Sequence, residues 1–142
     1  MHRKVLVTLV LLLVAFTNCA SAGEMAYGLI AKKSFIAFEC SHLAALARDQ
    51  KELERLFILG VESGRVYLSA RQAGKLTEKN NASAPIAWGL HGQGPSADFI
   101  LGRIYEVASE EAREETKPLG DSTDFASPAR KAFNAMNCAL VK

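Results

Sequence analysis

Apolar positions recur along this chain at helical spacing. Ile36, Cys40, Leu43, Ala44 and Ala47 fall on one face and predict a first helix over about Ala31–Ala47. Leu53, Phe57, Gly60, Gly64 and Tyr67 form the stripe of a second helix over about Glu52–Ala73, with Gly74 placed as its C-terminal cap. A polar connection, Leu76–Ala84, leads to a short helical turn at Pro85–Trp88 and a glycine-rich loop, Gly89–Gly94. The next long helix begins at Pro95 or Ser96, with Asp98 in its positively polarised first turn and Ile100, Ile104, Val107 and Ala108 as its buried stripe. Its charged second half, Ser109–Lys117, is expected to project into solvent, and Pro118 ends it. Ser127 and Pro128 open a last helix that carries Phe133, Met136 and Leu140 on one face and includes Cys138. There is no alternating apolar run of useful length and no Asn-Gly hairpin signal. The expected fold is all-α, a small bundle of four to five helices closed by one disulfide.

The first residues form a different pattern. His2, Arg3 and Lys4 precede an apolar run, Val5–Phe16, interrupted only by Thr8, and Ala20-Ser21-Ala22 supplies the small residues a signal peptidase reads. The run is shorter than the ~20 residues that span a bilayer. Residues 1–22 are therefore read as a signal peptide and 23–142 as one helical domain with a periplasmic or secreted destination. Asn18 precedes Cys19, where lipid attachment prefers a small residue, so Cys19 is expected to leave with the signal.

Removing that segment changes the charge and cysteine picture. Arg3 and Lys4 go with it, so 15 of the 17 basic side chains remain against 15 acidic ones. A balanced domain gives no electrostatic case for a nucleic-acid partner. Two cysteines remain, Cys40 and Cys138, and in an exported chain they are expected to pair. Closing a loop of about 100 residues contributes up to ~4.7 kcal/mol in the chain-entropy model. There is no Cys-x-x-Cys pair, and the scattered His42 and His91 do not complete a metal-ligand set, so neither metal nor cofactor is expected.

An internal echo pairs Phe57-Ile58-Leu59-Gly60 with Phe99-Ile100-Leu101-Gly102. Glycine inside a helix costs roughly 1 kcal/mol relative to alanine. Close backbone approach is the simplest compensation, so the second and fourth helices are expected to cross near Gly60, Gly64 and Gly102.

Candidate chemistry is thin. Ser96, His91 and Asp98 contain the groups of a hydrolytic triad, but no Gly-x-Ser-x-Gly elbow surrounds Ser96, and serine beside proline at a helix start ordinarily caps. Glu62 and Glu106 lie within helical reach of Arg65 and Arg103, which predicts surface ion pairs or an Arg–Glu network between the two helices. Glu110-Glu111 and Glu114-Glu115 read as a solvated face rather than an acid–base pair. Trp88 suits a lid on the core, with an exposed recognition patch as the alternative.

The runs Leu56–Gly60 and Gly94–Glu106, together with a cysteine in the first helix and another near the C-terminus, resemble a group of small exported bacterial proteins of unknown function. In size, export signal and helical pattern the chain is also similar to periplasmic immunity proteins that neutralise type VI secretion effectors. The expected function is that of an exported, non-enzymatic protein-binding domain, inhibitor-like or immunity-like. Its partner is expected to be another envelope or secreted protein, with a homodimer left open. The expected contact residues are Trp88, His91, Gln93, Ser96, Glu110 and Glu114. The alternatives are a small hydrolase using the His91–Ser96 loop, or an envelope protein that binds lipid or cell wall.

Overall fold

The computed structural model describes residues 19–118 and 123–142, whose regular elements are all helical, with no strand among them. The elements are α1 (Cys19–Leu46), α2 (Gln50–Gln72), the short α3 (Glu78–Asn81) and α4 (Ile86–His91), α5 (Ala97–Glu115), α6 (Ala126–Ala135) and a closing 3-10 turn, Cys138–Leu140. The apolar run of the expected signal peptide lies outside the described residues. Helix α1 itself runs through Ala20–Ala22 and starts well before the expected Ala31.

Helix α1 is the hub. Ala31, Phe35, Ala37, Phe38, Leu43 and Ala44 are all buried, and they point in several directions around the helix rather than along one stripe. A helix that is apolar nearly all round belongs in a core. Its two buried serines are satisfied across the interface with α2: Ser34 Oγ donates to the Gly60 carbonyl at 2.7 Å and Ser41 Oγ to the Leu53 carbonyl at 3.1 Å. Gly60 sits on the Phe38 ring, and Gly64 sits against Leu101, Ser34 and Trp88. A side chain at either position would collide, which explains two glycines inside one helix.

The expected crossing of the second and fourth helices at Gly60, Gly64 and Gly102 is corrected accordingly. Gly60 serves the contact with α1, Gly64 a three-way junction, and Gly102 meets nothing within 4 Å. The two copies of the echo are not equivalent, since Ile58 is exposed and Ile100 buried.

The turn between α1 and α2 is tight. Arg48 takes φ 62° where glycine is usual, its N–H donates to the Ala45 carbonyl and that of Asp49 to the Ala44 carbonyl. Asp49 then caps α2 by accepting from the Glu52 N–H at 3.2 Å. At the far end, Gly74 takes φ 65° as expected of a C-terminal cap.

Trp88, expected either as a lid or as an exposed patch, is a core residue at 1% exposure. Its indole N–H donates to the Ala31 carbonyl at 3.1 Å, and its ring meets Tyr67 edge-on at 4.9 Å. The neighbouring chain is more helical than expected, because α4 extends through Gly89 to His91. The charged half of α5 does not simply project: Ala112 and Thr116 are buried, while Glu110, Glu111, Glu114 and Glu115 are exposed.

The C-terminal segment is fastened at three points. The disulfide joins Cys40 in α1 to Cys138, with Cα atoms 5.5 Å apart. Arg55, held by Glu52 at 2.7 Å, donates to the Val141 carbonyl at 2.7 Å and the Cys138 carbonyl at 3.2 Å. Arg130 of α6 donates to the Ala47 carbonyl at the end of α1. The last helix starts earlier than expected, with Asp124 accepting from the Ala126 N–H, and ends before Cys138. Asn137 breaks it with φ 55°, so Cys138 lies in the following turn and Leu140 is 71% exposed rather than on the core face.

Two stability predictions follow from this packing. Replacing both Cys40 and Cys138 by serine is expected to cost about 2–5 kcal/mol, read from urea unfolding. Gly64→Ala is expected to destabilise by about 1–3 kcal/mol through overpacking, whereas Gly102→Ala should stabilise by about 0.5–1 kcal/mol through helix propensity. The same urea measurement distinguishes them by sign.

Candidate functional site

Seating α2 on α1 leaves α2 and α5 separated along part of their length. The gap is a groove of about 420 Å³ lined by Phe57, Val61 and Arg65 of α2 and by Leu101, Gly102 and Tyr105 of α5, with Phe38 of α1 in its lining. Phe57, Val61 and Arg65 are four residues apart in turn, so they stand in one row along α2. The Tyr105 ring meets Phe57 at 5.3 Å and Phe38 at 5.4 Å, both edge-on, and these contacts fix the aromatic wall. At one end Arg65 pairs with Asp98 at 2.8 Å. Phe57 in the lining is 40% exposed, and Ile58 and Phe99, the neighbours in sequence of Phe57 and Asp98, are 54% and 49% exposed. Exposed apolar surface gathered in a recess marks interaction sites on small proteins.

The expected contact residues are dispersed relative to this groove. Trp88 is buried away from solvent. His91 is half-buried, and its Nδ1 accepts from the Arg103 guanidinium at 2.9 Å, which places the ring proton on Nε2. Ser96 Oγ accepts from the Phe99 N–H at 3.2 Å and so caps α5. Asp98 is engaged by Arg65. The three groups of the imagined triad thus have three other partners. Arg65 and Arg103 also bypass Glu62 and Glu106, the carboxylates expected to pair with them, in favour of Asp98 and His91. Gln93 and Ser96 line a second, more polar hollow of about 470 Å³ with Arg71, whose guanidinium donates to the Gly92 carbonyl at 2.7 Å. Glu110 is exposed, and Glu114 lies 3.7 Å from Lys117.

A third feature, which the sequence reading passed over, is the seam between α1 and the charged half of α5. Glu39 is half-buried there, and burial together with the Glu111 and Glu115 carboxylates pushes its carboxyl up to about 7. His42, one turn on, is lowered by burial and by Arg113, with Glu110 opposing. Among the described residues no three His, Cys, Asp or Glu side chains are placed to hold a metal ion. No helix among them is long and apolar enough to cross a membrane.

Of the groove residues, the periodicity marks only Phe57, as part of the second helix's stripe, and it does not separate a residue buried against α1 from one that borders a gap. Arg65 reads as an ion-pair residue and Gly102 as a crossing point, and Val61, Leu101 and Tyr105 carry no signal of their own. The helix-interior Gly102 is the sequence feature that falls on the groove. In comparison with known proteins, no family model, curated protein or solved structure matches the chain.

The Glu39 seam predicts a pH dependence. The folded protein binds this proton more tightly than the unfolded chain, so the group's contribution is fully present below pH 4.5 and is lost as pH rises to about 7. His42 has the opposite sign, its contribution being lost as pH falls below 6.5. The stability difference between the wild type and Glu39→Gln cancels the His42 effect. It should grow in favour of the variant across pH 4.5–7 and stay flat above. Its expected size is about 1 kcal/mol after discounting for the solvent around a part-exposed carboxyl. Urea midpoints across that range check it.

Proposed function

We propose that the protein is an exported, non-enzymatic protein-binding domain, inhibitor-like or immunity-like, that docks another envelope or secreted protein in the groove between α2 and α5. The observation that carries this reading is the open apolar groove itself. Phe57, Val61, Leu101 and Tyr105 line a recess that no other part of the described chain fills, and Phe57 in its lining is 40% exposed. Interface cores are aromatic-rich, and hot spots sit in such recesses. The disulfide supports an oxidising, exported destination. This groove is preferred to the expected surface of Trp88, His91, Gln93, Ser96, Glu110 and Glu114 because Trp88 is committed to the core, and His91 and Ser96 to contacts with Arg103 and the start of α5.

The test is capture from envelope extract by the tagged protein, with mass spectrometry of what remains bound. One stoichiometric protein is expected, retained by Ser96→Ala and His91→Ala and lost with Gly102→Leu, which fills the groove. A turnover abolished separately by Ser96→Ala and by His91→Ala would favour the hydrolase instead. Co-sedimentation with membranes or sacculi would favour the lipid or wall binder.

A further inference from the structure

We propose that the groove between α2 and α5 receives a cationic amphipathic helix of the partner protein, and that Gly102 holds open the space for one of its apolar side chains. This rests on the protein-binding reading above and adds the chemistry of the partner.

Three observations carry it. The first is Gly102. It lies well inside a 19-residue helix, has an ordinary helical backbone and is exposed, and a Cβ built there meets nothing within 4 Å. Gly60 and Gly64 are each required by a contact within the chain, but Gly102 is not, although a helix-interior glycine carries a propensity cost. Space for a molecule outside the chain accounts for it.

The second is shape. Phe57 to Arg65 spans eight residues of α2, about 12 Å at the helical rise, and the Phe57–Tyr105 contact closes one end and the Arg65–Asp98 pair the other; two turns of a helix lying over this mouth would send side chains into the gap between them. An extended segment would bring unpaired backbone N–H and C=O groups against apolar helix walls, where there is no strand edge to pair with them among the described residues. A helix satisfies its own backbone and presents side chains at i, i+3, i+4 and i+7.

The third is charge. Glu62 follows Val61 on α2 and Glu106 stands one turn beyond Gly102 on α5. Both are exposed, and neither makes an ion pair among the described residues. Of the nearby cations, Arg65 pairs with Asp98 at one end of the groove, while Arg103 keeps its charge against a neutral His91. The three carboxylates Glu62, Asp98 and Glu106 outnumber these two guanidinium groups, so the apolar lining carries a small acidic excess around it, complementary to an apolar stripe flanked by lysine or arginine. A second copy of this chain would bring the same carboxylates together across a two-fold interface. An anionic bilayer surface would be repelled by them.

The test uses a fluorescein-labelled helical peptide of about 18 residues, five turns, built from leucine and lysine, and a matched leucine–glutamate peptide as control. Anisotropy titration of the disulfide-bonded protein should show saturable binding of the lysine peptide and at least about tenfold weaker binding of the glutamate peptide. Gly102→Leu, which removes a helix-breaking residue and clashes with nothing at its Cβ, should weaken binding about tenfold or more without loss of thermal stability. Glu62→Gln with Glu106→Gln should weaken it about three- to tenfold and flatten its salt dependence.

Equal affinity for the two peptides, undiminished binding by Gly102→Leu, or no binding of the lysine peptide would overturn the proposal. So would a dimer in sedimentation that Gly102→Leu dissociates, which would give the groove to a second copy. Binding to phosphatidylcholine or phosphatidylglycerol vesicles that Gly102→Leu abolishes would give it to lipid. If the lysine peptide fails while the captured envelope protein is still lost with Gly102→Leu, the docking reading stands and only the partner chemistry falls.

Discussion

The structure depends on how closely α2 approaches α1. Two glycines without side chains, Gly60 and Gly64, let the helices approach, and Ser34 fixes the contact by donating to the Gly60 carbonyl. A buried hydroxyl without that acceptor would cost about 1–3 kcal/mol, so the same bond that tightens the interface also specifies its register. Trp88 then enters the junction beside Gly64, anchored on a carbonyl of α1, and Leu101 of α5 reaches the same glycine from the other side. Three helices thus converge on a point that a single methyl group would obstruct. Beside it, α5 meets α2 only through the Arg65–Asp98 pair and the Phe57–Tyr105 contact, and the groove is the space left between these two bridges.

Polar groups show the same division of labour. The guanidinium groups that cross between elements mostly serve backbone carbonyls: Arg55 holds the C-terminal turn, Arg71 the Gly92 carbonyl and Arg130 the end of α1. Arg65 and Arg103, by contrast, engage side chains near the groove. The first group orders chain termini and turns. In the second, Arg65 is neutralised by Asp98 at the end of an apolar recess, while Arg103 is held by the uncharged His91 ring.

Much of the fold was legible because helical spacing, caps and cysteine count are local or nearly so. The all-helical architecture, the Ser96 cap, the Gly74 terminator and the Cys40–Cys138 bridge were all readable in this way. What failed was non-local. Periodicity reports that a residue is apolar on one face, but not which neighbour that face meets, so it points Gly60 to the long helix α5 when its partner is α1, and it does not distinguish a lid from a surface patch at the buried Trp88. Helix α1 misled for the opposite reason: a helix buried nearly all round has no single stripe, and the one stripe picked out underestimated both its length and its centrality. Glu39 escaped notice because a lone glutamate in an apolar helix gains its meaning only from Glu111 and Glu115, which lie more than seventy positions away in the chain.

Cys40 and Cys138 are separated by 98 positions, and every helix from α2 to α6 lies between them. The bridge therefore joins α1 to the C-terminal turn and encloses the intervening helices in one covalent ring. A local opening of α2, α5 or α6 leaves both ends of that ring tied, so the separated segments reclose over a shorter span than a linear chain allows.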